Sequence, residues 1–150
     1  MFKHILVPVD GSEHAARAVD IACDLATHYG AKLTLLHVLT QVGGYYVPRE
    51  LKAFAEIEHQ KLTEQDVVES VGREIVTHAE RRANETGVKD YDGRLESGDP
   101  VGCIAEVVKQ DGVDLIVMGR RGLSDLGGLL LGSVSHKVAQ AVDCCCLTVK

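Results

Sequence analysis

Three short apolar runs stand out along the chain: Ile5-Leu6-Val7-Pro8-Val9, Leu33-Thr34-Leu35-Leu36-His37-Val38 and Leu115-Ile116-Val117-Met118. Runs of this length with few polar interruptions suit strands covered on both faces, so they predict central parallel strands. Tyr91-Asp92-Gly93-Arg94-Leu95-Glu96 and Cys145-Cys146-Leu147-Thr148-Val149 are more polar or terminal, and they fit strands nearer the sheet edges.

Between these runs the apolar positions change to three- and four-residue spacing. Ala15, Ala18, Val19, Ala22, Leu25 and Ala26 follow a Ser12 cap and stop at Gly30, which predicts an amphipathic helix. Ile104, Val107 and Val108 follow Pro100 and end near Gly112, and Val134, Val138, Ala141 and Val142 follow Gly132-Ser133. The longest helical segment runs from about Glu50 to Glu85 through Leu51, Phe54, Ile57, Leu62, Val67, Val71, Ile75, Ala79 and Ala83, with Gly72 as a candidate irregularity. Before it, Gly43-Gly44-Tyr45-Tyr46-Val47-Pro48 reads as a surface loop able to fold over whatever the sheet binds.

Strands thus alternate with helices, and every crossover is long enough to hold one. This predicts a single-domain α/β fold, a Rossmann-like open sheet of five parallel strands joined by right-handed crossovers with helices on both faces. If the sheet starts in the middle and reverses, the first and fourth strands meet at the switch point, where ligands bind beyond the strand carboxyl ends. The segments after Val9 and after Met118 therefore carry the functional question.

With 150 residues, 45% of them hydrophobic, the chain suits one compact domain over residues 1–150. The apolar runs are far shorter than the roughly 18–20 residues that cross a bilayer, and Met1-Phe2-Lys3-His4 leads straight into a strand, so the expectation is a cytoplasmic protein without membrane insertion. A formal charge of −6, with only Arg81-Arg82 and Arg120-Arg121 as adjacent basic pairs, argues against binding nucleic acid. The surplus of 22 acidic over 16 basic residues would also suit a salty cytoplasm, although ordinary soluble proteins share it. Cys23, Cys103, Cys144, Cys145 and Cys146 form an odd set without C-x-x-C spacing, which predicts reduced thiols acting as small buried apolar side chains. In an extended segment Cys145 points opposite to Cys144 and Cys146, so the triplet cannot converge on one metal.

At the first strand end stands Asp10-Gly11-Ser12-Glu13-His14, without the G-x-G-x-x-G fingerprint, which argues against NAD or FAD bound in the ordinary way. Asp10 has two readings there: a carboxylate that accepts from ribose hydroxyls or holds a metal through water, or a cap for the following helix. At the fourth strand end the stretch GRRGLSDLGGLLLGSVS, Gly119 to Ser135, holds five glycines. Glycines allow a tight turn and close backbone approach to an anion, and the helix opening at Gly132-Ser133 presents unpaired N–H groups with a favourable dipole. The hydroxyls of Ser133 and Ser135 would add donors; the plain alternative is a flexible surface loop. GGLLLGS, Gly127 to Ser133, has P-loop glycine spacing but lacks the Lys before Ser133, so holding a nucleotide is better supported than cleaving it. The seven histidines show no H-x-x-x-H pair and read as solvated or incidental, with His37 and His136 nearest the cleft. No catalytic residue and no metal ligand is singled out.

The spacing G-x-x-G-x9-G-S at Gly119, Gly122, Gly132 and Ser133 resembles the ATP signature of the universal stress protein family. The resemblance covers the whole chain: Ile5 to Ser12, Leu36-His37-Val38, the Gly98-Asp99-Pro100 turn and the Met118-Gly119 junction fall where that family has them. It implies strand order 3-2-1-4-5 and an ATP site, with Mg or Mn. By the same resemblance Pro8, Val9 and Val38 line the adenine pocket, Val38 reading the base through its backbone, and Asp10 meets the ribose. Met118, Gly119, Arg121 and Gly122 would border ribose and phosphates, and Gly132, Ser133, Val134 and Ser135 would hold the phosphates. Two positions depart from the family pattern: Cys145 stands where a Pro is common, and Arg120-Arg121 replaces smaller or neutral residues.

The resulting expectation is an ATP-binding regulatory or stress-response protein in which bound nucleotide orders the 119–132 loop and changes a surface that a partner sees. The resemblance implies a homodimer through Cys145 to Val149, or a higher oligomer, with Cys144 to Cys146 near a twofold axis where oxidation would cross-link them. It also allows an unidentified protein partner, a membrane transporter being one candidate. Competing readings are a slow ATPase or nucleotidyl-transfer enzyme using Asp10 and a metal, a nucleotide-independent dimeric interaction module, and a flavin-binding electron carrier.

Overall fold

A computed structural model describes residues 1–40, 63–122 and 132–150. Five strands alternate with four helices in these residues: β1 (His4–Pro8), α1 (Glu13–Tyr29), β2 (Lys32–Leu39), α2 (Glu64–Glu85), β3 (Tyr91–Ser97), α3 (Pro100–Asp111), β4 (Leu115–Gly119), α4 (Ser133–Ala141) and β5 (Cys145–Val149). All neighbouring strands run parallel, and their order is β3-β2-β1-β4-β5. The three apolar runs are therefore the three central strands, and the two more polar ones are the edges. The reversal falls between β1 and β4.

Strand alternation sorts the core into two layers. Ile5, Val7, Leu33, Leu35 and Val117 face α1 and α2, where Ala18, Ala22, Ala79 and Ala83 are small enough to let the helices lie close. Leu6, Leu36, Ile116 and Met118 face the other way, against Ile104 and Val107 of α3 and Val138 of α4. Each fully buried Leu, Ile or Val contributes roughly 1.5–3 kcal/mol, so both sheet faces hold their helices by apolar burial. The helix boundaries follow from local chemistry. Ser12 Oγ accepts from Ala15 N–H at 3.2 Å and Asp99 Oδ2 from Gly102 N–H at 2.8 Å, while Gly30 and Gly112 close α1 and α3 in the left-handed conformation.

Four expectations are corrected. The long helical segment is not continuous from Glu50, because Thr63 is extended (φ −89°, ψ 160°) and forms a reciprocal capping box with Asp66 that starts α2 at Glu64. What precedes Thr63, including the 43–48 loop, lies outside the described residues. Gly72 marks no irregularity; it sits inside α2, where a Cβ would stand 2.7 Å from Leu39 Cδ2 and 2.9 Å from Leu95 Cδ1. The cysteines are not uniformly buried: Cys23 is fully enclosed, Cys145 is exposed, and the other three are intermediate. The alternation foreseen for the triplet holds, with Cys144 and Cys146 packed against the α3–α4 layer.

The fourth correction concerns His4, which is buried rather than solvated. Its Nε2 lies 2.8 Å from Thr34 Oγ1, whose hydroxyl donates to Asp92 Oδ1 at 2.7 Å. Arg94 joins the same network, donating from Nε to Asp92 Oδ2 and pairing through Nη2 with Asp111 Oδ2, both at 2.7 Å. Burial works to raise the Asp92 carboxyl, but the hydrogen bonds from Arg94 and Thr34 and the charges of Arg94 and Lys32 outweigh it and hold Asp92 below the usual carboxylate range. This polar seam links β1, β2, β3 and α3 at the amino-terminal half of the strands. It is a fastening within the fold, away from the strand carboxyl ends.

Candidate functional site

At the carboxyl end of β1 the chain turns sharply. Val9 N–H donates to Leu36 O at 2.8 Å, extending β1 by one residue, and Val9 O is contacted by His37 Nδ1 at 2.7 Å. Asp10 then accepts from Ser12 N–H through Oδ1 at 2.9 Å, and Ser12 caps α1. Capping thus belongs to Ser12, while Asp10 braces the turn and keeps its second oxygen directed elsewhere. That oxygen meets the backbone after β4: a Cβ on Gly122 would stand 2.6 Å from Asp10 Oδ2.

Gly119, the last residue of β4, is equally confined. A Cβ there would lie 2.9 Å from Ala15 N and from His14 Cβ, so β4 presses directly on the first turn of α1. Gly119 and Gly122 of the signature thus stand at close approaches that leave little room for a larger side chain. Arg120 continues the ladder by donating its N–H to Val149 O at 2.7 Å.

The carbonyl of Arg120 accepts from Gly132 N–H at 2.7 Å and from Ser135 Oγ at 3.2 Å. Ser135 also donates to Gly132 O at 3.0 Å, so its buried hydroxyl fastens the amino end of α4 to the end of β4. Gly132 is the N-cap and supplies no side-chain hydrogen bond, which leaves the first-turn N–H groups of α4 without a capping side chain. Such an end carries about half a positive charge. Residues 123–131, including Gly127 and Gly128, lie outside the described residues.

The structure brings most of the sequence-derived residues to one end of the sheet. Pro8 ends β1 and Val9 and Asp10 follow it, Val38 lies near the end of β2, Met118 and Gly119 end β4, and Arg121 and Gly122 come after it. Met118 is buried and Val38 half-buried, both in the apolar layer shared with α3 and α4. Gly132, Ser133, Val134 and Ser135 open α4; Ser133 and Val134 are exposed. Sequence reasoning saw in Arg120-Arg121 charge for a triphosphate or a partner's acidic surface, but it assigned no role to His14, which backs Gly119, or to the carbonyl of Arg120, which anchors α4. The alternation Ile116, Met118, Arg120 was the available signal for the second. Among the described residues no group of three or more His, Cys, Asp and Glu side chains could hold a metal ion.

The family model of the universal stress protein family matches residues 1–150. The chain belongs to the universal stress protein family. Universal stress protein YxiE of Bacillus subtilis is 37% identical over 158 aligned residues, with both chains covered completely. Among solved structures, the universal stress protein UspA from Lactobacillus plantarum superposes with a TM-score of 0.80 at 24% identity, covering 99% of this chain and 98% of that one, which speaks for the fold alone. A universal stress protein crystallised in complex with cAMP has a TM-score of 0.67 at 30% identity, covering 99% and 96% of the two chains. The five-stranded order and the four surrounding helices of this universal stress protein are those of the family fold.

Proposed function

We propose that this universal stress protein binds an adenine nucleotide, ATP with Mg or Mn, between the ends of β1 and β4, and that the bound nucleotide alters the surface of the 119–132 loop presented to a protein partner. The observation that carries the reading is the close approach of Asp10 Oδ2 to Gly122, where a Cβ would stand 2.6 Å away, beside an α4 amino end that no side chain caps. A carboxylate accepts from ribose hydroxyls, and helix N–H groups donate to phosphate oxygens; the two are set at adjoining strand ends, as a nucleotide requires. The related protein solved with cAMP supports the same ligand class.

In this reading Pro8, Val9, Val38 and Met118 pack around the base. Asp10 and the Gly119–Gly122 backbone border the ribose, with Arg121 beside them. Ser133 and Val134 offer backbone donors to the phosphates and Ser133 adds its exposed hydroxyl, while Gly132, whose N–H is held by Arg120 O, allows the close approach. Ser135 acts through the backbone, since its hydroxyl is engaged by Arg120 O and Gly132 O. The reading extends to a cytoplasmic protein that dimerises through edge strand β5, where Cys145 and Leu147 are exposed. No helix among the described residues is long and apolar enough to cross a membrane.

The test is calorimetric titration of nucleotide-stripped protein with ATP and Mg, beside Gly132→Val. Micromolar binding by the parent and its loss in the variant are the expected results. A parent that binds no adenine nucleotide sinks the reading and leaves a nucleotide-independent interaction module in its place.

A further inference from the structure

Beside the glycine signature, Arg120 Nε is buried and has no hydrogen-bond partner in the protein. Buried polar nitrogens are nearly always satisfied, and one that the protein leaves unmatched calls for a group outside the chain. Where the guanidinium starts follows from strand alternation. Ile116 and Met118 belong to the layer that packs on α3 and α4, Val117 to the opposite layer, and the ladder runs on through Arg120 N–H to Val149 O. Arg120 therefore leaves the strand on the α4 side, and its own carbonyl holds Gly132 N–H at the start of α4. A cationic side chain is thus rooted beside a helix amino end that no side chain caps.

We propose that Arg120 contacts the outer phosphates of the bound nucleotide and thereby sets a preference for a nucleoside triphosphate over a monophosphate. The proposal rests on the nucleotide reading above. The helix end suffices for one phosphate group, because its N–H donors and about half a unit of positive charge answer a single dianion. A triphosphate brings further negative charge into a chain whose formal charge is already −6. It needs a cation, and the position before Ser133, where a P-loop carries Lys, is Gly132 here. Arg120 supplies that cation with a planar fork suited to two phosphate oxygens at once. Arg121 Nε, one residue on, is likewise buried without a hydrogen-bond partner, but Arg121 has another interaction within the protein.

The experiment is calorimetry on the nucleotide-stripped full chain with AMP, ADP and ATP in the presence of Mg, for the parent, Arg120→Gln and Arg120→Lys. The parent is expected to bind ATP at least ~10-fold more tightly than AMP, the scale of one charge-assisted contact. Arg120→Gln should bring the two affinities together by weakening ATP alone, with AMP changed less than about twofold, and Arg120→Lys should keep part of the preference. Because the buried Nε of the half-buried Arg120 has no hydrogen bond within the protein to lose, nucleotide-free Arg120→Gln should melt no lower than the parent; a lower melting temperature with an unchanged ATP-to-AMP ratio would assign Arg120 a purely structural role and overturn the proposal. A parent that binds AMP and ATP equally also overturns it while leaving the nucleotide site standing. A parent that binds none of the three removes both.

Discussion

The second carboxylate oxygen of Asp10 fills the space that a side chain on Gly122 would need, 2.6 Å from the position of its Cβ. The first oxygen is held by Ser12 N–H at 2.9 Å, so the carboxylate cannot swing away without opening the turn that starts α1. The end of β1 and the loop after β4 are therefore built against each other.

Gly122→Ala should displace Asp10 and weaken nucleotide binding by about tenfold, close to 1.4 kcal/mol. Gly122 is exposed, so the melting temperature should move little. If the carboxylate transmits the effect, Asp10→Ala should weaken binding comparably, and the double variant should be no worse than Asp10→Ala alone. Additive losses in the calorimeter would show that the two residues act separately.

Gly119 makes a different demand, because its neighbours are main-chain atoms that cannot rotate aside. A Cβ 2.9 Å from Ala15 N and His14 C forces β4 away from α1. Gly119→Ala should lower the unfolding free energy by about 1–3 kcal/mol, the range for overpacking a close contact. Urea unfolding measures this directly, and a loss under about 0.5 kcal/mol, the usual scatter of surface changes, would mean that the junction is looser than the backbone distances indicate.

The alternation of strands and helices, the helix caps and the glycines at the β4–α4 junction were legible in the sequence because each depends on neighbours along the chain, whereas the strand order was implied by the family resemblance. Apolar run length separated central from edge strands, and Ser12, Asp99, Gly30 and Gly112 marked helix ends by local hydrogen bonding or backbone conformation. Features that join distant residues were not legible. Nothing local tells Gly72 that Leu39 and Leu95 will press on it, or tells His4 that Thr34 will stand 2.8 Å away. The same holds at the site. Ser135 looked like a phosphate donor until the fold brought Arg120 O and Gly132 O within reach of its hydroxyl.

The Asp92 seam gives the fold a defined acid response. With its carboxyl held below the ordinary value of 3.8, Asp92 contributes stability that is present above that pH and is lost as the pH falls through its folded value. Asp92→Asn should therefore be less stable than the parent at neutral pH, and the gap should narrow as the pH drops below about 4. Urea unfolding at a series of pH values tests this, and a constant gap would assign the loss to packing rather than ionisation.

The cysteine triplet responds at the opposite end of the pH scale. Burial first, and then the neighbouring thiols, push Cys144 up to about 11 from the usual 9.0, and burial also raises Cys146. A thiol whose folded value is raised favours the fold below the unfolded value, because the folded chain keeps a proton that the unfolded chain would release. That contribution should fade as the pH climbs from 9 towards about 11, and Cys144→Ala should flatten that part of the stability profile. At pH 8 the shift leaves Cys144 with roughly a hundredth of the thiolate of an ordinary cysteine, since each unit is a factor of ten. Cys145 lies exposed on the other side of edge strand β5. Iodoacetamide should therefore modify Cys145 first, at least about tenfold faster than Cys144, as read by mass mapping of the peptides over time. Equal rates at the two positions would show either that Cys145 is covered, as pairing of two β5 edges in the proposed dimer would do, or that Cys144 leaves the α3–α4 layer often enough to react.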